Sequence, residues 1–141
     1  MELGAGDGVL TKRILDRMPD DCLLIAFEIN EKFTKILEDI EDKRLIVAAD
    51  SAENLFSHME THGVRSVDVV YSAIPFSVLP DKLSRDIVGT AKEALRPDGE
   101  YLQIHYSLME KKLYEGIFGN VEIHFQPLNI PPAFILKSVK A

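Results

Sequence analysis

A chain of 141 residues with 16 Lys+Arg against 23 Asp+Glu, a net charge of −7, is long enough to bury one core without covalent staples. Its single cysteine, Cys22, excludes an internal disulfide and a cysteine-based zinc or iron–sulfur centre, and points to a reducing, cytoplasmic setting. No apolar run reaches the roughly 18–20 residues of a membrane span, no basic-then-apolar leader opens the chain, and the acidic balance argues against a purely electrostatic grip on nucleic acid or anionic lipid.

Apolar runs and amphipathic stretches alternate from the start. Only Met1-Glu2-Leu3 precede the first glycine, so either the chain is cut or mis-started or the first strand is a stub. A first helix ends at Pro19-Asp20-Asp21, and Leu23-Leu24-Ile25-Ala26-Phe27 is a near-continuous apolar run suited to a strand buried on both faces. Phe33, Ile36, Leu37 and Ile40 then share one helical face, opposite Glu31, Lys35, Glu38 and Asp42. The charged run from Glu38 to Arg44 reads as a solvated helix end. Leu45-Ile46-Val47-Ala48-Ala49 and Val67 to Tyr71 are further buried strands, separated by a helix that His62-Gly63 closes.

After Pro80, Leu83, Ile87, Val88, Ala91, Ala94 and Leu95 line one face of a helix, and Arg96-Pro97-Asp98-Gly99 turns the chain into Tyr101-Leu102-Gln103-Ile104. Val121-Glu122-Ile123-His124-Phe125 alternates with period two. Ala133 to Val139 follows a Pro-Pro break that leaves no room for a helix, so these last two strands are antiparallel. The expectation is one α/β domain over residues 1–141: a doubly wound, mostly parallel, Rossmann-like sheet that ends in an antiparallel hairpin.

Three features fall at the carboxyl ends of successive strands, where open α/β sheets bind ligands. Glu2-Leu3-Gly4-Ala5-Gly6-Asp7-Gly8 places glycines at alternate positions between a strand and a helix, which lets the backbone turn tightly and approach a ligand. The spacing is neither that of a dinucleotide fold nor that of a P-loop, and the acid ahead of it suits a cation better than a pyrophosphate. Glu28 ends the second strand, where an acid receives ribose hydroxyls. Asp50, followed by Ser51, ends the third, placed either to accept from an exocyclic amine or to cap the helix beginning near Ser51.

On these residues the chain resembles the class I S-adenosylmethionine-dependent methyltransferases over essentially its whole length. The resemblance implies that fold with an N-terminally truncated sheet, S-adenosylmethionine as cofactor and S-adenosylhomocysteine as product. It also implies a cofactor site made of Glu2, Leu3, Gly4, Ala5, Gly6, Gly8, Glu28, Ile29, Asp50, Ser51 and Ser72.

The segment Tyr71-Ser72-Ala73-Ile74-Pro75-Phe76 resembles the Asn-Ile/Leu-Pro-Tyr/Phe motif of adenine-N6 methyltransferases, including the ribosomal RNA adenine dimethylases, with Ser72 expected in the place of the Asn. A hydroxyl offers fewer acceptor positions than a carboxamide, which counts against an adenine amine with its delocalised lone pair. A Ser-x-hydrophobic-Pro-Phe sequence is instead similar to the bacterial phospholipid N-methyltransferases, as is Asn129-Ile130-Pro131-Pro132-Ala133. The resemblance implies catalysis by Ser72, the Ile74 carbonyl, Pro75 and Phe76 on an amine, favoured as a phospholipid or small amine. Adenine in ribosomal RNA is the alternative. Phe76 is expected to serve the acceptor more than the stability of the fold.

His58 and His62 stand at helical spacing, but the order is not that of a zinc site and no third ligand follows, so no metal is expected. His105 and Tyr106 end the fifth strand and read as packing residues. The abrupt start implies a missing cover over the cofactor: weak cofactor binding, slow or absent turnover, and self-association into a homodimer. It also keeps open a third reading, an inactive remnant of the fold that acts by association. A lipid acceptor would place the protein at a membrane periphery.

Overall fold

The apolar runs form the middle of a seven-stranded sheet. In the computed structural model, which describes residues 1–141, the strands are β1 (Glu2–Leu3), β2 (Leu24–Phe27), β3 (Leu45–Ala48), β4 (Val67–Ser72), β5 (Leu95–His105), β6 (Glu122–Gln126) and β7 (Ala133–Val139). Their order is β3-β2-β1-β4-β5-β7-β6. The first five pair in parallel, and β7 runs antiparallel between β5 and β6, as the sequence predicts. The connecting helices are α1 (Val9–Arg17), α2 (Glu31–Glu38), α3 (Leu55–Thr61), α4 (Asp81–Ala94) and α5 (Lys111–Phe118). No helix is long and apolar enough to cross a membrane.

The chain builds outward from β1 to β3, then returns to lay β4 on β1's other side. Leu3 is therefore level with both Phe27 and Ser72. The split between the β1–α1 and β4–α4 connections at that reversal opens a crevice beyond the carboxyl ends of the strands. Below it, β2 is buried along its whole length, and Leu3, Val70, Leu95, Tyr101 and Leu136 are at most 1% exposed.

Three local expectations are corrected. Arg96–Gly99 does not precede β5 but lies within it: Leu95 already pairs with Val67, the register shifts before Val69 meets Glu100, and Asp98 takes a left-handed φ of 60° in the bulge. On α2 the buried residues are Thr34 and Leu37, with Leu37 packed on Ala5 and Ala26; Phe33 and Ile36 stay 37% and 42% exposed, because this short helix lies over the edge of the sheet.

Arg44 is not solvated. Its guanidinium donates to Leu15 O (3.0 Å) and Met18 O (2.6 Å), closing the last turn of α1, and to Asp42, whose carboxyl it holds down to about 2.

Phe76 is the fourth correction. It is 3% exposed, belongs to the main core, and meets Tyr114 edge to face with ring centroids 6.4 Å apart. Its position follows from a short 3₁₀ turn, Phe76–Val78, that folds the chain back inward after Pro75. Phe76→Ala is therefore expected to cost about 3–5 kcal/mol of stability, read as a lower denaturation midpoint with an unchanged m-value. An unfolding free energy within a few tenths of a kcal/mol of wild type would return the ring to the acceptor.

Candidate functional site

A cavity of about 400 Å³ occupies the crevice. Of the predicted site residues it is lined by Gly4, Gly6, Glu28, Ile29, Asp50 and Ser51, joined by Ile74 and Pro75 from the β4–α4 loop. Its apolar wall, from Phe27, Ala52, Leu79, Leu83 and Ile87, was not legible as such, since these residues read only as core positions. A larger cavity, about 740 Å³, opens at the opposite edge beside Leu10, Ile14 and Val67, and holds none of the predicted site residues.

Glu28 is the organising acid. One carboxylate oxygen accepts the Gly6 N–H at 2.8 Å and the other the Asn30 N–H at 2.8 Å, which ties the glycine turn to the start of α2. Each oxygen retains a lone pair. Gly4 and Gly6 adopt φ of 73° and 57°. A Cβ on Gly4 would stand 3.0 Å from the Ile74 side chain, so the two loops touch across the reversal. A Cβ on Gly6 would meet only open space, which leaves an unfilled cradle beside the Glu28 carboxylate.

Asp50 works within a small network. One oxygen accepts from the Ser51 N–H (2.7 Å) and the Asn54 amide (2.8 Å), and the other lies 2.9 Å from His58 Nε2. These bonds, the one with His58 foremost, hold its carboxyl below the usual range, so it is ionised at neutral pH. Ser51, not Asp50, caps the following turn, by accepting from the Glu53 N–H. His58 is the residue that sequence reasoning missed. It bonds the acid at the strand end and packs its edge on Phe27, rather than pairing with His62. A histidine eight residues after a strand-end acid, on the helix that folds back over it, was the available signal.

Other predicted residues lie outside the cavity. Leu3 and Ala5 are core, and Gly8 sits against Leu37 and Ile40. Glu2 is 1% exposed between β1 and α1; one oxygen accepts from Thr11 Oγ1 at 2.7 Å and the other is buried without a partner. Burial pushes its carboxyl up to about 7, against the pull of the Thr11 bond.

The expected acceptor groups are also spent internally. The residue directly before Ile74-Pro75-Phe76 is Ala73, which lines the cavity. Ser72, one place earlier at the end of β4, is fully buried, with its hydroxyl near the Ile74 N–H at 3.4 Å, so it does not stand in the amide's place. The Ile74 carbonyl accepts from both Gln103 Nε2 and the Phe76 N–H at 3.0 Å.

Further out on β5, His105 Nε2 lies 2.6 Å from the Tyr114 hydroxyl, and Glu110 is 3.7 Å from its Nδ1. Burial lowers the His105 pKa and drives that of Tyr114 up, so a neutral imidazole meets a neutral phenol. His105 is packed as expected, whereas Tyr106 is 63% exposed. The turn at Asn129–Ala133 leaves the same sheet edge, bonded to itself through Asn129 Nδ2 and Pro131 O, and does not line the cavity.

The donor set fits the cofactor that the sequence resemblance implies. An apolar slot ends in two carboxylates beside an empty glycine cradle. Such a site suits a cationic nucleoside.

No family model matches the chain. It is 32% identical over 136 residues to an ornithine lipid N-methyltransferase of Singulisphaera acidiphila, covering 94% of this chain and 71% of that protein. Among solved structures it resembles magnesium protoporphyrin IX methyltransferase of Synechocystis, with bound S-adenosylmethionine (TM-score 0.75, 11% identity, 99% of this chain and 68% of that one). It also resembles fibrillarin of Aeropyrum pernix with the same natively bound ligand (TM-score 0.74, 17% identity, 98% and 64%). At such identities these two likenesses are of fold.

The buried Glu2 makes stability pH-dependent with a defined sign. Its folded pKa, about 7, lies above the ordinary 4.5, so the folded state holds the extra proton between those values. The Glu2 contribution to stability is therefore full below about pH 4.5 and is lost, on the order of 3 kcal/mol, as pH rises to about 7. Glu2→Gln is expected to remove that fall relative to wild type in denaturant titrations across this window. Parallel pH profiles for the two proteins would refute it.

Proposed function

The chain belongs to the class I S-adenosylmethionine-dependent methyltransferases, and we propose that it methylates the amine of a lipid headgroup. The reading is carried by the 32% identity to a protein that acts on ornithine lipid, over 71% of its length. The engaged acceptor loop supports it. An adenine amine needs free acceptors to localise its lone pair, yet the Ala73 side chain offers none and the Ile74 carbonyl is doubly occupied. An aliphatic amine needs only to lose a proton before it attacks.

When bound, S-adenosylmethionine supplies a methyl group on a sulfonium sulfur that leaves as a neutral thioether. No strong charge develops on the leaving group, so the protein's part is to hold the two reactants in line and keep water out. On this reading Glu28 receives the ribose hydroxyls on the lone pairs that Gly6 and Asn30 leave free, and Asp50 faces the adenine amine. Gly4 and Gly6 cradle the amino-acid portion, with Phe27 and Ala52 beside the base. Ile74 and Pro75 form the wall that the acceptor amine approaches. One proton leaves the nitrogen for each methyl group it gains.

The direct test is transfer of a labelled methyl group to vesicles containing ornithine lipid or phosphatidylethanolamine, with ribosomal RNA in parallel. Label in the lipid amine is expected, and label in RNA alone would overturn the reading. Separately, Glu28→Ala is expected to weaken S-adenosylhomocysteine binding by roughly 10–100-fold in calorimetry, equivalent to one or two charge-assisted hydrogen bonds. Unchanged affinity would remove Glu28 from the ribose.

A further inference from the structure

Three segments leave or enter the sheet on the far side of the crevice: 73–80 after β4, 106–110 after β5, and 127–132 between β6 and β7. The pairing brings them together. His105 stands opposite Phe134 and Gln126 opposite Ala133, so the second and third segments emerge from neighbouring strands about 5 Å apart. The first emerges from β4, on β5's other side, and contributes Pro75 and Leu79 to the cavity.

These segments carry apolar side chains that the fold leaves uncovered. Val78 is 75% exposed, Tyr106 63%, Met109 83%, Leu128 94% and Ile130 95%. Charge has been kept off the same stretch. None of residues 73–80, 106–109 and 126–136 is charged, in a chain where 28% of residues are. Glu110, the one acid at hand, turns its carboxylate inward toward His105 and is 13% exposed. Lys111 and Lys112 follow directly behind it.

The contrast with the rest of the surface is sharp. The other half of this edge bears Glu28, Asp50 and Glu53, and the opposite edge bears Asp20, Asp21, Lys43, Arg65 and Arg96.

A fringe of this kind selects its occupant. Phosphate-rich RNA would require Lys or Arg in the segments themselves, and none is there. A second copy of the chain or a folded protein requires a continuous face of roughly 800 Å² per side, which the tips of separate turns do not present. A bilayer accommodates separate tips. Leu, Ile, Met and Val sink toward the acyl boundary, Tyr sits at the interface, and the exposed Lys112 behind them reaches the headgroup level, while Lys111 pairs with Glu115.

We propose that the fringe of Val78, Tyr106, Met109, Leu128 and Ile130 docks the protein on a lipid bilayer, with the crevice opening onto the headgroup layer. What the docked crevice then does rests on the lipid-amine reading. The docking itself stands on the placement of these side chains.

The experiment separates the two. The whole chain is floated with vesicles of phosphatidylcholine alone and of phosphatidylcholine mixed with phosphatidylglycerol, neither of which carries a primary amine. Wild type is expected on both. The double variant Met109→Glu/Leu128→Glu alters two tips that pack against nothing. It is expected to lose about tenfold or more in vesicle partitioning while its melting temperature and S-adenosylhomocysteine affinity match wild type.

Wild type that stays with the soluble fraction, or a variant that floats as wild type does, would overturn the docking surface. So would a lipid-free wild-type dimer, seen by light scattering, that the variant converts to monomer. Wild type that floats but transfers no label to an amine-bearing lipid added to the same vesicles supports docking and overturns only the acceptor.

Discussion

The Glu28 carboxylate accepts one N–H from the glycine turn after β1 and another from the start of α2, and the crevice is built around that pair of bonds. The turn has left-handed residues at Gly4, Gly6 and Gly8, a conformation that needs anchoring to stay open. A carboxylate bound at both oxygens provides the anchor and keeps spare lone pairs facing the cavity. Asp50 repeats the arrangement one strand further out, with Ser51, Asn54 and His58 as its partners. Both acids are thereby fixed in direction as well as in charge, which is what a site acting by positioning requires.

Across the strand reversal the wall is fixed by a different device. Tyr101 donates to Gln103, Gln103 donates to the Ile74 carbonyl, and the Phe76 ring is buried against Tyr114. The side chains of Tyr101, Gln103 and His105 are buried in alternate positions along β5, so a single strand face supports the loop from below. Polar groups that the sequence suggested for the acceptor are the means by which the loop holds its own shape. This wall of the cavity is therefore a surface defined by backbone and apolar contacts.

Most of the architecture was legible because its signals are local. Continuous apolar runs at Leu23–Phe27 and Leu45–Ala49 admit few alternatives to buried parallel strands, and the Pro-Pro break before Ala133 forces a hairpin. The meeting of Gly4, Gly6, Glu28 and Asp50 at one cavity was legible for the same reason: acids at strand ends and alternating glycines report on strand termini directly. What the sequence hid depends on which way a side chain turns. Ser72 and Phe76 stand in a recognisable motif, yet one ends a buried strand face and the other is folded inward by the turn after Pro75. Arg44 looked solvated because its acceptors, the last carbonyls of α1, lie more than twenty residues away. Neither orientation nor a distant partner leaves a periodic trace.

β1 also has a neighbour far along the chain, since Glu2 pairs with Tyr71. β1 has only Glu2 and Leu3 in the ladder, and both of its partners, at Phe27 and Ser72, are synthesised later. Its pairing closes only after β2 and β4 have found their places, a non-local step of the kind that slows folding. The glycine turn is the direct continuation of that strand, so an intact cradle is evidence that the sheet is complete. A ligand that holds the cradle binds the native state alone, and at a hundredfold excess over its Kd it adds about 2.7 kcal/mol to the stability of the whole fold. In a cell that would make the lifetime of the folded protein a function of how much of that ligand is present.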